Sequence, residues 1–282
     1  MREALAIADE VTVLRHGRAV LSGRPREVGE PVVIGAMIGG GAMDDAQPSL
    51  GSPAAGASVM SLEHVSATGD RGVRRLQDVS MEVRAGEIVG IAGIEGSGQH
   101  ELLRVLAGRL TPCAGVVRFP ARVGFVPEDR LRDALIPEMT LVENLALKEA
   151  GEARGSLRWA SYQARAVTTI REHDVRTSGV DSPASALSGG NQQKFVLGRE
   201  LEGLPRALVV ENPTRGLDIR ASARVLAALR SARASGVAVA LYSSDLDEVL
   251  SMADRMFVCF DGRVTATAVE ADAVARALVG LS

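Results

Sequence analysis

Leu187-Ser188-Gly189-Gly190-Asn191-Gln192-Gln193-Lys194, followed by Ala207-Leu208-Val209-Val210-Glu211-Asn212-Pro213-Thr214-Arg215-Gly216-Leu217-Asp218, decides the fold. Ser188, Gly189 and Gly190 open a predicted helix running through Phe195 to Leu201. Paired glycines let backbone approach a ligand, and the first N–H groups of the helix then point at any anion there. Ala207 to Val210 is an apolar run of buried-strand type, stopped by Pro213. Glu211 and Asn212 therefore fall at a strand end, where α/β proteins gather ligand-binding groups.

Upstream, Glu87-Ile88-Val89-Gly90-Ile91-Ala92 is a short apolar strand. Gly93-Ile94-Glu95-Gly96-Ser97-Gly98-Gln99-His100 follows, and then an apolar-periodic helix over Leu102 to Leu106. Strand, glycine loop and helix form the setting of a phosphate-binding P-loop, a pattern of G-x-x-x-x-G followed by Lys and Ser or Thr. Gly93 and Gly98 are in place, but Gln99 stands for the lysine and His100 for the hydroxyl. The lysine normally sets a point charge on the β and γ phosphates, and the hydroxyl holds magnesium. These eight residues are expected to cradle a nucleotide through main-chain N–H groups, to bind ATP weakly and to handle Mg2+ badly.

In this order the motifs resemble the ATP-binding cassettes of ABC transporters. The resemblance implies an α/β P-loop NTPase with a RecA-like parallel sheet core, an antiparallel β subdomain and a helical insert. It also implies that no catalytic residue is intact. Glu211 falls where an Asp supports magnesium, and Asn212 where the family has its catalytic Glu; an amide cannot accept the attacking water's proton. Ser244 replaces the histidine that contacts the γ-phosphate, and Glu128, in Glu128-Asp129-Arg130, replaces the glutamine after the middle strand Val123 to Val126. The face that serves a partner is intact. Leu187, Ser188, Gly189, Gly190, Asn191 and Gln192 match the signature that closes over a partner's nucleotide in trans, and Gly216, Leu217 and Asp218 match the D-loop. The combination resembles the second, degenerate cassette of the double-cassette ATPases that power simple-sugar and nucleoside importers. Its implied partners are a catalytic first cassette, membrane permease subunits and, indirectly, a solute-binding protein. Its implied location is peripheral, on the cytoplasmic face of the cell membrane.

Glu3, Leu5, Ala8, Asp9, Val13, Gly17 and Arg18 are identical to the residues 245 positions further on, Glu248, Leu250, Ala253, Asp254, Val258, Gly262 and Arg263. An offset of that size marks a domain repeat. Residues 1–40 are accordingly expected to be the C-terminal tail of a preceding cassette, as a truncated gene, a late start codon or a partial sequence would leave. Residues 41–58, small and rich in Gly and Pro, are expected to be a flexible linker. The cassette is expected over 59–282. Val59 to Val65 and Leu76 to Val83 read as its antiparallel strands, joined by the polar stretch Thr68 to Arg74. No aromatic residue stands there to stack on adenine. The helical subdomain is expected over about 136–190, with helices at Leu141 to Lys148 and Tyr162 to His173, and by resemblance it docks on a membrane subunit. Trp159 reads as packing, and the cluster Arg71, Arg74 and Arg75 as a solvated loop. Strands resume at Val237 to Tyr242 and Arg255 to Phe260.

Composition narrows the alternatives. The chain has 282 residues, enough for one full α/β domain. A net charge of −3 argues against nucleic acid as a partner. No apolar run approaches a membrane span, and the charged first residues exclude a secretory leader. His16, His64, His100 and His173 show no metal-ligand spacing, so no metal site is expected. Cys113 and Cys259 are expected to be buried thiols in a reducing cytosol. Two rival readings stay open: a soluble regulatory or translation-associated cassette protein without a permease, and a non-functional truncated product.

Overall fold

The computed structural model describes residues 5, 7–15, 18–29, 32, 33, 36, 56–69, 73–150 and 155–281. The chain divides into two units, residues 1–50 and 51–282. In the first, β1 (Val11–Arg15) and β2 (Arg18–Gly23) form an antiparallel hairpin, followed by the single turn α1 (Pro25–Val28). Most of the stretch read as a linker, 41–55, lies outside the described residues.

The second unit opens with β3 (Ser58–Thr68) and β4 (Arg74–Arg84), then β5 (Ile88–Gly93) and α2 (Gln99–Leu106). Next come β6 (Ala114–Arg118), β7 (Val123–Val126) and the turn α3 (Arg130–Asp133). The helical insert holds α4 (Leu141–Ala150) and α5 (Trp159–Glu172), and α6 (Gly189–Leu201) leads back to the core. The chain then alternates β8 (Ala207–Glu211), α7 (Ile219–Ala234), β9 (Ala238–Tyr242), α8 (Leu246–Met252) and β10 (Arg255–Phe260). β11 (Arg263–Thr267) and α9 (Ala271–Leu278) close it.

Two sheets result among the described residues of this unit. One has the order β11-β10-β5-β9-β8-β7, parallel except for β11; the other is antiparallel, in the order β4-β3-β6. Period-two alternation builds a core on each face of the parallel sheet. Ile88, Leu208, Val210, Val239 and Leu241 pack with Leu145, Phe195 and Leu229 of the helices on one side. Val89, Ile91, Ala207, Val209, Ala238 and Ala240 pack on the other with Leu102 and Leu106 of α2 and with Met60, Leu62 and Leu76 of the antiparallel sheet. Each fully buried Leu or Val contributes about 1.5–3 kcal/mol, and a one-residue slip would exchange the two faces, so the register is strongly fixed. Helix α2 starts at Gln99, three residues earlier than its apolar periodicity shows. The third strand of the antiparallel sheet, β6, was not legible in the sequence.

Two expectations are corrected here. Cys259 is buried, but Cys113 is exposed because it precedes the edge strand β6. Trp159 is half exposed at the start of α5, and its contact is a tilted approach to Tyr162, with ring centroids 6.2 Å apart.

Candidate nucleotide site

The registers Ile91↔Tyr242 and Glu211↔Tyr242 align the carboxyl ends of β5, β9 and β8. Gly93, Glu211, Asn212, Ser243 and Ser244 are thereby gathered at one edge of the sheet, where α/β folds bind ligands. The loop after β5 turns on an N–H of Ser97 donating to Ile94 O at 2.9 Å, and Gly98 caps α2 in the left-handed region at φ 102°. Only glycine fits there, since a Cβ at Gly98 would lie 2.3 Å from the carbonyl oxygen of Arg75. The result is a loop of main-chain N–H groups leading into a helix start, which suits an anion.

The two side chains after Gly98 do not project as a lysine and a hydroxyl would. Gln99 is fully buried, and the Tyr242 hydroxyl is the polar group its side chain interacts with. His100 Nδ1 hydrogen-bonds the carboxylate of Glu211, Nε2 faces Glu95 Oε2 at 3.4 Å, and the ring meets Tyr242 edge-on at 5.7 Å. The bond to Glu211 pushes the imidazole's basicity up and outweighs the opposing effect of burial.

Glu211 is 4 % exposed, and its second oxygen faces the N–H of Glu128 at 3.4 Å. Magnesium demands near-ideal octahedral oxygen coordination at about 2.0–2.1 Å. With both Glu211 oxygens facing N–H donors and an imidazole where a hydroxyl would stand, these residues do not fit that ion. Among the described residues, no three His, Cys, Asp or Glu side chains converge to hold a cation.

Asn212 is held on both sides. Its Nδ2 donates to Glu128, and its Oδ1 accepts the N–H of Ser244 at 2.7 Å. Arg215 ion-pairs with the same Glu128. Two residues after Glu128, Arg130 at the start of α3 donates from Nη1 to Gln193 Oε1 at 3.0 Å, tying α3 to α6. Thr214 donates to Glu248, whose carboxyl burial pushes up. The positions matched to catalysis, Glu211, Asn212, Ser244 and Glu128, thus form one network whose polar groups bond mostly to one another.

The signature lines a separate cleft of about 520 Å³. Ser188, Gly189, Gly190 and Asn191 form one wall and Gly216, Leu217 and Asp218 the other; Arg176 and Arg220 border it with Lys194 and Arg224, and these last two ion-pair with Asp174, which also lines the cleft. Ser188 caps α6 without bonding its main chain, and its hydroxyl accepts from Asn191 Nδ2 at 2.9 Å. The exposed amino end of α6 therefore faces a basic cleft. Leu187 and Gln192 are buried behind it.

Arg75 went unrecognised in the sequence. The sequence places it in a solvated cluster, yet its Nη1 donates to Gly96 O at 3.0 Å, and Nε lies 3.9 Å from Glu101. It sets a positive charge beside the phosphate loop, and only the register of β4 against that loop places it there. Arg71 and the side chain of Arg74 lie outside the described residues.

A phosphate loop at the centre of a parallel sheet, with a glycine-rich helix start facing a second cleft, defines a P-loop nucleotide-binding cassette. The chain belongs to the ABC transporter ATP-binding proteins, and residues 76–215 match the model of that family, described as ABC transporter. It is 33 % identical over 279 residues to the guanosine import ATP-binding protein NupO of Bacillus subtilis (strain 168), covering 93 % of this chain and 54 % of that protein. It is 37 % identical over 286 residues to the glucose import ATP-binding protein TsgD13 of Haloferax volcanii, covering 94 % and 51 %. With the nucleoside import ATP-binding protein NupA of Lactococcus lactis it shares 35 % over 280 residues, covering 93 % and 55 %. The chain spans about half the length of the curated relatives it matches. In fold it is similar to the ATP-binding cassette MJ0796, solved as a dimer in a post-hydrolysis state bound to ADP and Pi, with a TM-score of 0.66 at 23 % identity over 75 % of this chain and 99 % of that one.

Proposed function

We propose that this chain is an ATP-binding subunit of an importer for a nucleoside or simple sugar, and that it works mainly on a partner's nucleotide. The carrying observation is an asymmetry. The signature and the D-loop share an open basic cleft, whereas the chain's own hydrolytic positions are bonded to one another. The chain binds ATP weakly through Gly93 to His100, hydrolyses it little or not at all, and places Leu187 to Gln192 over ATP held by a catalytic first cassette. The names of the nucleoside and sugar import relatives support the substrate class.

Nucleotide closure passes to membrane permease subunits fed by a solute-binding protein, and the chain sits peripherally on the cytoplasmic face of the membrane. No described helix is long and apolar enough to cross a membrane. A cleft of about 420 Å³ between Phe119, Arg122 and the insert residues Leu147 and Lys148 offers a permease loop a seat.

In the proposed division into 1–40, 41–58 and 59–282, the reading of 1–40 as the tail of a preceding cassette is supported by the hairpins. β1 and β2 close on the pair Arg15↔Arg18, and β10 and β11 close on Phe260↔Arg263, each residue 245 positions from its counterpart.

Reconstitution with a catalytic cassette and permease pair tests the reading. Solute-stimulated phosphate release that needs this chain supports it, and full activity in its absence rejects it.

A further inference from the structure

We propose that His100 takes the place of the divalent cation in this site, so that the loop binds a nucleoside triphosphate as the metal-free polyphosphate. The inference rests on the reading that the loop binds nucleotide at all. Glu211 is a buried carboxylate at the mouth of an anion site, and an uncompensated charge there is costly, more so with phosphates beside it. Some cation must neutralise it. In P-loops that ion is magnesium, held partly by the hydroxyl after the lysine; here that position carries an imidazole bonded to Glu211.

The geometry leaves the ring a second task. With Nδ1 fixed on Glu211, Nε2 points toward the loop, where it faces the carboxylate of Glu95 at 3.4 Å. The Glu95 side chain is 83 % exposed and free to swing away. An imidazolium donates from both nitrogens, so an arriving phosphate oxygen can replace Glu95 on Nε2 while Glu211 keeps Nδ1. Arg75, at Gly96, supplies a second positive charge beside the loop. The ligand class is therefore a nucleoside triphosphate without its metal, and Glu95 is a carboxylate gate that competes with it.

Calorimetric titration of the whole chain with ATP, in excess EDTA and in millimolar magnesium, tests the proposal. The two dissociation constants are expected to agree within about twofold, whereas a site that used the ion would differ by about tenfold or more. His100→Ser restores the hydroxyl and frees Glu211, and should bind more tightly with magnesium than with EDTA. Glu95→Gln should tighten binding in EDTA. Nitrogen-15 spectra of the histidines give a readout that does not depend on either variant folding, because the Nε2 resonance of His100 should shift on adding ATP in EDTA. Wild-type binding that magnesium strengthens tenfold, or an Nε2 resonance that ATP leaves unmoved, overturns this proposal and leaves nucleotide binding standing. No binding in either buffer overturns both.

Discussion

Asn212 Oδ1 accepts the main-chain N–H of Ser244 at 2.7 Å, which fixes the amide so that its other end meets Glu128. A glutamate at position 212 has no N–H to donate, so the second bond is lost. It would face Glu128 directly, and two carboxylates in contact cannot both ionise readily.

The first prediction follows from that contact. Asn212→Glu alone should leave phosphate release near the wild-type level, because a carboxyl held protonated by Glu128 is no base. Loss of a general base typically costs about 10²- to 10⁴-fold. Steady-state phosphate release from the purified chain is the check, and a gain of that size in Asn212→Glu would contradict the network described for Glu128.

Two histidines with opposite shifts set the second prediction. Glu211 raises His100, so its contribution to stability is full below the unfolded value of about 6.5 and is lost as pH rises through the folded value. Burial lowers His173, so the fold is penalised as pH falls from about 6.5 through the folded value of that group. The two contributions therefore fall on opposite sides of about pH 6.5 and together favour greatest stability near that pH. His100→Asn should melt earlier on acidification from about pH 7.5 to 5.5, and His173→Asn later, in that same window. Thermal melts across the window decide it; identical slopes in all three proteins would mean that His100 carries no bridge.

A third prediction concerns the joint between the helical insert and the sheet. Burial pushes the Glu200 carboxyl up, but Arg199 and Lys148 overcome this and hold it below its usual range. Its oxygens also accept from Lys148 Nζ at 3.1 Å and from the N–H of Phe125 in β7 at 3.2 Å. Glu200→Ala strands those buried cations and should cost about 3–5 kcal/mol. Arg224→Ala removes an exposed pair with Asp174 and should cost less than about 1 kcal/mol. Urea unfolding separates the two, and similar losses would mean that burial is not what gives Glu200 its weight.

Much of this was legible in the sequence because it repeats with a period. Ala207 to Val210 and Ile88 to Ala92 are apolar runs that burial on both faces requires, and the glycines at 93, 96 and 98 announce the loop. Edge elements were harder: β6 is only five residues long, mostly exposed and without apolar alternation, so its membership in the antiparallel sheet depends on pairing with β3 and not on pattern. The bonds of the site were harder still. That His100 reaches Glu211 across 111 positions, or that Arg75 touches Gly96, is a matter of strand register and side-chain direction, which no local spacing encodes. The substitutions at 99, 100, 212 and 244 could be read singly, but their assembly into one mutually bonded network appears only in three dimensions.

The trans-acting role of the signature is tested most directly by one comparison of phosphate release. A catalytic cassette is assayed alone, with this chain, and with its Ser188→Arg variant. Ser188 is exposed at the amino end of α6, so the substitution leaves the core untouched while filling the space intended for the partner's γ-phosphate. The wild-type chain should raise the partner's activity, and Ser188→Arg should abolish the increase while still giving a cooperative melt. Equal stimulation by both proteins would contradict the account and reduce Leu187 to Gln192 to an ordinary helix start.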